Sequence, residues 1–209
     1  MGFGSSGELA GETLRVSAGG RLVIGAWAGS VSVNAGGGSD VRLAVKGSGL
    51  LPPPRLEVQQ DAADVYVALH VAPLFGWLPL WAWQSVELEV RVPARYSVEV
   101  QTRRGRVDIR GVDGEVEASS EDGPLRFRDV RGPIDARTAA GSIDVSGCRG
   151  DVDVATSRGS IEIQNVVGQV SAHSRRGRIT VLDPIRGLLM RSGGGSIAIE
   201  GAGRAPAFA

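Results

Sequence analysis

The sequence predicts an all-β fold: a single-stranded β-solenoid (β-helix) with 18-residue coils and a strand-rich N-terminal portion. Glycines stand at 105, 123, 141, 159, 177 and 195, always 18 apart. Registered to that grid, apolar residues fall into columns such as Val98, Val116, Ile134, Val152, Val170, Leu188 and Val107, Leu125, Ile143, Ile161, Ile179, Ile197. Between the columns stand polar residues, in the first copy Glu99, Gln101, Arg106, Asp108 and Arg110. Alternation with period two marks strands with one buried face, and no segment carries a helical period.

Residues 1–11 are rich in Gly and Ser, and are expected to be a flexible start to a single solenoid domain over 12–203. Within 12–97 the grid is irregular. Gly20, Gly29, Gly38 and Gly47 are half a coil apart, and "GSVSVNAG" at 29–36 copies "GSIDVSGC" at 141–148, so Leu14–Lys46 is expected to form irregular early coils. "LEVQQ", "DVYVALHV" and "SVELEVRVP" read as longer strands. The aromatic segment Ala72–Gln84, "APLFGWLPLWAWQ", interrupts them and breaks both patterns. Residues 98–203 hold six regular coils, and 204–209 form a tail. Each coil holds two short strands with Gly-containing corners, where glycine's access to positive φ is the expected reason for its recurrence. One coil cannot bury its apolar face alone. Stacking at about 4.8 Å turns each column into a ladder, and each buried aliphatic contributes roughly 1.5–3 kcal/mol as an upper bound. The first strong expectation is that Val116, Ile134 and Val152 lie in one buried row.

The opening "LRVSAGGRLVIGAWAGSVSVNAGGGSDVRLAVKG", the bridge "VELEVRVPARYSVEVQTRRGRVDIRGVDG" and the following T/S-x-x-G-x-[IV]-x-[IV] coils resemble a bacterial family of unknown function named "putative adhesin". The likeness covers Leu14–Gly201. It implies a β-helical domain and a binding role, and it brings no catalytic residues.

Composition excludes several alternatives. Lys plus Arg and Asp plus Glu balance at 23 each, so no global field draws nucleic acid. A single cysteine, Cys148, excludes a disulfide framework and a cysteine-based zinc site within one chain. Cys148 shares the column of Val112, Val130 and Val166 and reads as a core residue. Neither a signal-peptide pattern nor an apolar run long enough to cross a bilayer occurs, which gives a cytoplasmic expectation with envelope association as the alternative.

The inward column Thr102, Ser120, Thr138, Thr156, Ser174 and Ser192 is expected to bond along the ladder or to corner amides, not to supply nucleophiles. His70 and His173 lack the arrangement of a catalytic triad, since Ser174 points away from its neighbour His173. No enzymatic activity, cofactor or metal centre is expected. Glu99, Glu117, Asp135 and Asp153 form an outward carboxylate column, to be neutralised by Arg137, Arg103, Arg104 or Arg158, or bridged by weakly bound cations. Asp108, Arg126, Asp144 and Glu162 form an alternating column expected to hold register.

In the aromatic segment, Phe75, Trp77, Trp81 and Trp83 are the candidates for a cap over the solenoid or a membrane or partner contact. The expected partner is a protein or cell-envelope component, with self-association through the solenoid ends as a further possibility. The functional expectation is a non-enzymatic binding or scaffold module, against a bactofilin-like polymer that stacks end to end.

Overall fold

The structure, a computed structural model, describes residues 7–17, 19–47, 55–70, 86–182 and 187–200. The described residues contain strands and turns and no helix. The strands are β1 (Gly7–Arg15), β2 (Arg21–Ala28), β3 (Ser30–Gly36), β4 (Asp40–Gly47), β5 (Arg55–Asp61), β6 (Asp64–His70), β7 (Val86–Pro93), β8 (Ser97–Arg104), β9 (Val107–Arg110) and β10 (Val116–Asp122). There follow β11 (Leu125–Arg128), β12 (Ile134–Thr138), β13 (Ile143–Ser146), β14 (Val152–Thr156), β15 (Ile161–Gln164), β16 (Val170–Ser174), β17 (Ile179–Leu182), β18 (Leu188–Ser192) and β19 (Ile197–Glu200).

From β8 onward the chain alternates between two parallel sheets and stacks each strand pair on the last, the architecture of a β-solenoid. Val116 pairs with Ile134, and Ile134 with Val152. All three are almost fully buried, so the expected row exists. Leu125, Ile143, Ile161 and Ile179 form the facing row in the other sheet. Corner residues Val112, Val130, Cys148 and Val166 are buried as well, and beside them single parallel bridges join Arg131 to Arg149 and Arg149 to Val167.

Within Leu14–Lys46 β2 and β3 form one parallel level of the stack, but not where chain order would put it, and β4 pairs antiparallel instead of forming a coil. β2 pairs in parallel with β8 on one side and β6 on the other, and β3 with β9 and β7. The chain therefore passes from the β6–β7 level to the β8–β9 level and leaves a slot that its own N-terminal strands fill. Beyond that slot β4 pairs antiparallel with β7 and β1 antiparallel with β4, and β5 completes the other sheet antiparallel to β6. The inserted level is pinned at one corner. The Tyr96 hydroxyl donates to the Ala63 carbonyl, and the Arg21 amide donates to Asp64 Oδ1 at 2.8 Å. Burial, and secondarily the Asp64 charge, push the Tyr96 phenol up to about 12.

The corner glycines have two causes: Gly105, Gly132 and Gly150 take the expected positive φ, and close approach of backbone acts at the others. Gly123, Gly141, Gly159, Gly177 and Gly195 do not adopt positive φ. A Cβ on any of them would collide with the carbonyl oxygen of the glycine one coil below. Gly105 meets Gly29 in the same way, which extends the column into the inserted level. Close vertical approach of backbone therefore selects glycine here, and each glycine clears space for the next. Positive φ also recurs at Gly111, Asp129, Gly147 and Asn165, one per coil just after the strand of the larger sheet. Gly and Asx are the residues that tolerate this conformation best.

Candidate functional site

The hydroxyl column is structural. Thr156 Oγ1 donates to the Gly141 carbonyl at 3.0 Å and accepts from the Gly159 amide at 3.1 Å. Ser174 repeats both bonds, to Gly159 and from Gly177. Thr138, Thr156 and Ser174 thus each tie a corner to the corner beneath it, whereas Thr102 donates to the Arg104 carbonyl of its own corner. Ser120 is the exception: its buried Oγ has no hydrogen-bond partner, in a coil whose strand β10 runs on straight to Asp122. Cys148 is buried, its Sγ donates to the Ser146 carbonyl at 3.3 Å, and burial pushes its thiol up, away from reactivity.

The carboxylate column lies in strict register, Glu99 beside Glu117, then Asp135, then Asp153. Arg21, which sequence reasoning missed, lies 2.9 Å from Glu99 and 3.3 Å from Glu117. Arg137 pairs with Asp135 at 2.9 Å. Arg103, expected to help, instead pairs with Glu121 at 3.0 Å. Among the described residues no three His, Cys, Asp or Glu side chains gather around a point that could hold a metal ion. In the other sheet Asp108, Arg126, Asp144 and Glu162 are in register, but Arg110 on the same strand grips Asp108 through two hydrogen bonds of 2.8 and 2.7 Å. Those bonds hold the Asp108 carboxyl below its ordinary value.

Among the described residues a groove of about 810 Å³ lies on the outer face of the nine-stranded sheet. It crosses β6, β2, β8, β10, β12, β14 and β16, so it runs along the stacking axis. Its central row follows the ladder: Ala68, Gly25, Gln101, Ser119, Arg137, Ala155, His173. Arg103, Glu121 and Arg175 border it at the corner. His70 and His173, set aside as catalytic residues, both line it, at opposite ends. The signal was present in the sequence, because the row can be read from the glycine grid; it was passed over because small outward residues carry no chemistry singly. A smaller depression of about 570 Å³ lies at the other end of β12, β14 and β16 and includes Asp135, Asp153 and the exposed Leu189.

Phe75, Trp77, Trp81 and Trp83 lie outside the described residues, as does the tail. What is described is the segment's two anchors, His70 at the end of β6 and Val86 at the start of β7. It leaves, then, from the corner that borders the groove. At the far end of the stack the last core layer is less covered: Ile197 and Ile199 are 44% and 57% exposed, while Ile179 and Val181 one coil below are buried. Among the described residues no helix is long and apolar enough to cross a membrane.

No protein-family model and no curated protein matches the chain. Solved structures do. A putative cell adhesion protein from Clostridium sporogenes aligns over 92% of this chain and 99% of its own, with 10% identity and a TM-score of 0.41. A putative adhesin from Parabacteroides distasonis aligns over 94% and 98%, with 13% identity and a TM-score of 0.33. One from Bacteroides fragilis aligns over 92% and 96%, with 13% identity and a TM-score of 0.54. The chain shares the fold of this last protein, whose description is the family name that its own repeats resemble.

Proposed function

We propose that the protein is a non-enzymatic binding module of the adhesin type, a single unit over 12–203 wound as one strand with 18 residues per coil. It holds a cell-envelope component against the outer face of its nine-stranded sheet. The observation that carries this reading is the axial groove, which ends at the corner where the aromatic segment departs. Phe75, Trp77, Trp81 and Trp83 supply a second, apolar contact, and the carboxylate row Glu99–Glu117–Asp135–Asp153 is a partly neutralised, net acidic ridge beside the groove, able to hold divalent cations only weakly. The non-enzymatic reading rests on position: Ser174 is buried and bonded to corner backbone, while His173 faces out. A bactofilin-like filament is disfavoured because the two ends do not match. β5 presents Arg55, Glu57, Gln59 and Asp61 at one edge, and charged edges resist strand addition, while the opposite end is apolar.

Co-sedimentation with isolated bacterial envelopes and flotation with phosphatidylethanolamine–phosphatidylglycerol vesicles test the reading. The chain associates with at least one of them. Replacing Phe75, Trp77, Trp81 and Trp83 by Ser weakens that association at unchanged Tm. Lowered Tm with unchanged association makes the segment a cap, and no association with either preparation overturns the reading.

A further inference from the structure

We infer that the axial groove binds a linear acidic polysaccharide carrying one carboxylate per disaccharide. This rests on the binding role proposed above and names its ligand class.

The groove crosses seven strands, about 29 Å at the usual strand spacing, and is open along its length, so its ligand is extended. Its cations are periodic. Arg103 follows from β8, Arg137 from β12 and Arg175 from just beyond β16, every second strand, which sets them about 9.6 Å apart along the axis. The row between them keeps the same period: Gln101, Arg137 and His173 are long, while Ser119 and Ala155 between them are small. From β8 to β16 long polar side chains thus divide the floor into two equal compartments, each the length of about two sugars, and Gly25 and Ala68 leave it open beyond them.

Other anionic polymers fit worse. An extended peptide repeats its side chains at about 6.8 Å, which matches neither one strand spacing nor two, and the groove lies on a sheet face with no unpaired backbone edge to extend. Nucleic acid and polyphosphate carry a charge on every unit. The groove holds Glu121 among its cations and adjoins four carboxylates, so dense negative charge is repelled while a sparse charge can reach each arginine. The arginines can also exchange partners. The Arg103–Glu121 and Arg137–Asp135 pairs are exposed and worth roughly 0–1 kcal/mol, and Arg175 has no ion pair among the described residues.

The test is calorimetric titration of the full chain with hyaluronan oligosaccharides of four to ten sugars, in which carboxylates occur on alternate residues. Affinity rises with each added disaccharide until the groove is filled. Arg175→Ala and Arg137→Ala each weaken binding about 3–10-fold, and Ala155→Trp, which fills one compartment, weakens it at least 10-fold, all with unchanged Tm. Carboxyl-reduced oligosaccharide loses at least 10-fold. Equal binding of the reduced form, equal or tighter binding of polyphosphate, oligo-dT or poly-Glu, insensitivity to Ala155→Trp, or no binding overturns the inference. Envelope association that persists without glycan binding leaves the adhesin reading standing and removes only this one.

Discussion

A single hydroxyl separates two otherwise equivalent positions. Thr156 bridges two corners, whereas Ser120 is buried without a partner. Thr156→Val should cost about 1–3 kcal/mol, because it leaves the Gly141 carbonyl and the Gly159 amide unmatched in the interior. Ser120→Ala should be neutral or stabilising, since it removes an unsatisfied group. Urea midpoints for both variants check the contrast, and equal losses would refute it. Tyr96 supplies a pH dependence. Its folded phenol ionises at about 12 and an unfolded one at about 10, so its stabilisation is complete below pH 10 and lost as pH rises through 12. The difference is of order 2–3 kcal/mol. Tyr96→Phe should therefore show its largest deficit against wild type near neutral pH, and the gap should close between pH 10 and 12. A deficit that does not change with pH would remove the argument.

At the scale of the strand pair, the glycine grid makes a sharp prediction. Gly159→Ala forces a Cβ onto the Gly141 carbonyl and should cost at least about 3 kcal/mol, whereas Gly36→Ala meets open space and should be nearly neutral. Circular-dichroism melts of the two variants decide it. The same column shows what could be read beforehand. Val116, Ile134 and Val152 could be placed in one row because every copy repeats its neighbours' packing, so the pattern is local in the stack and regular in the chain. Glycine's role was anticipated at Gly105, Gly132 and Gly150 and missed at Gly123, Gly141, Gly159, Gly177 and Gly195, because a sequence shows that a side chain is missing and not what occupies its place. The position of β2 and β3 was illegible for another reason. "GSVSVNAG" announces a coil, but its partners on β7 and β9 lie far along the chain, and parallel pairing leaves no turn signal to name them. The Asx/Gly column at Gly111, Asp129, Gly147 and Asn165 was readable and was overlooked.

For the molecule as a whole, stability should be close to a sum over levels, with each level held by its two neighbours. Excising residues 143–160, one complete repeat, joins Ser142 to Ile161 and preserves every column. The shortened chain should unfold cooperatively, with a denaturant m-value reduced in proportion to the surface lost. Excising only 152–160 deletes β14 without β13 and should yield insoluble protein; two soluble, cooperative products would sink the additive picture. The displaced level has a consequence for how the protein comes into being. A nascent chain cannot complete this stack in the order it is made, because its earliest strands must wait for β8 and β9 to emerge before they have a berth on that side. Once seated, they act as a dovetail: traction on the N-terminus must shear two ladders at once, so the beginning of the chain becomes its lock.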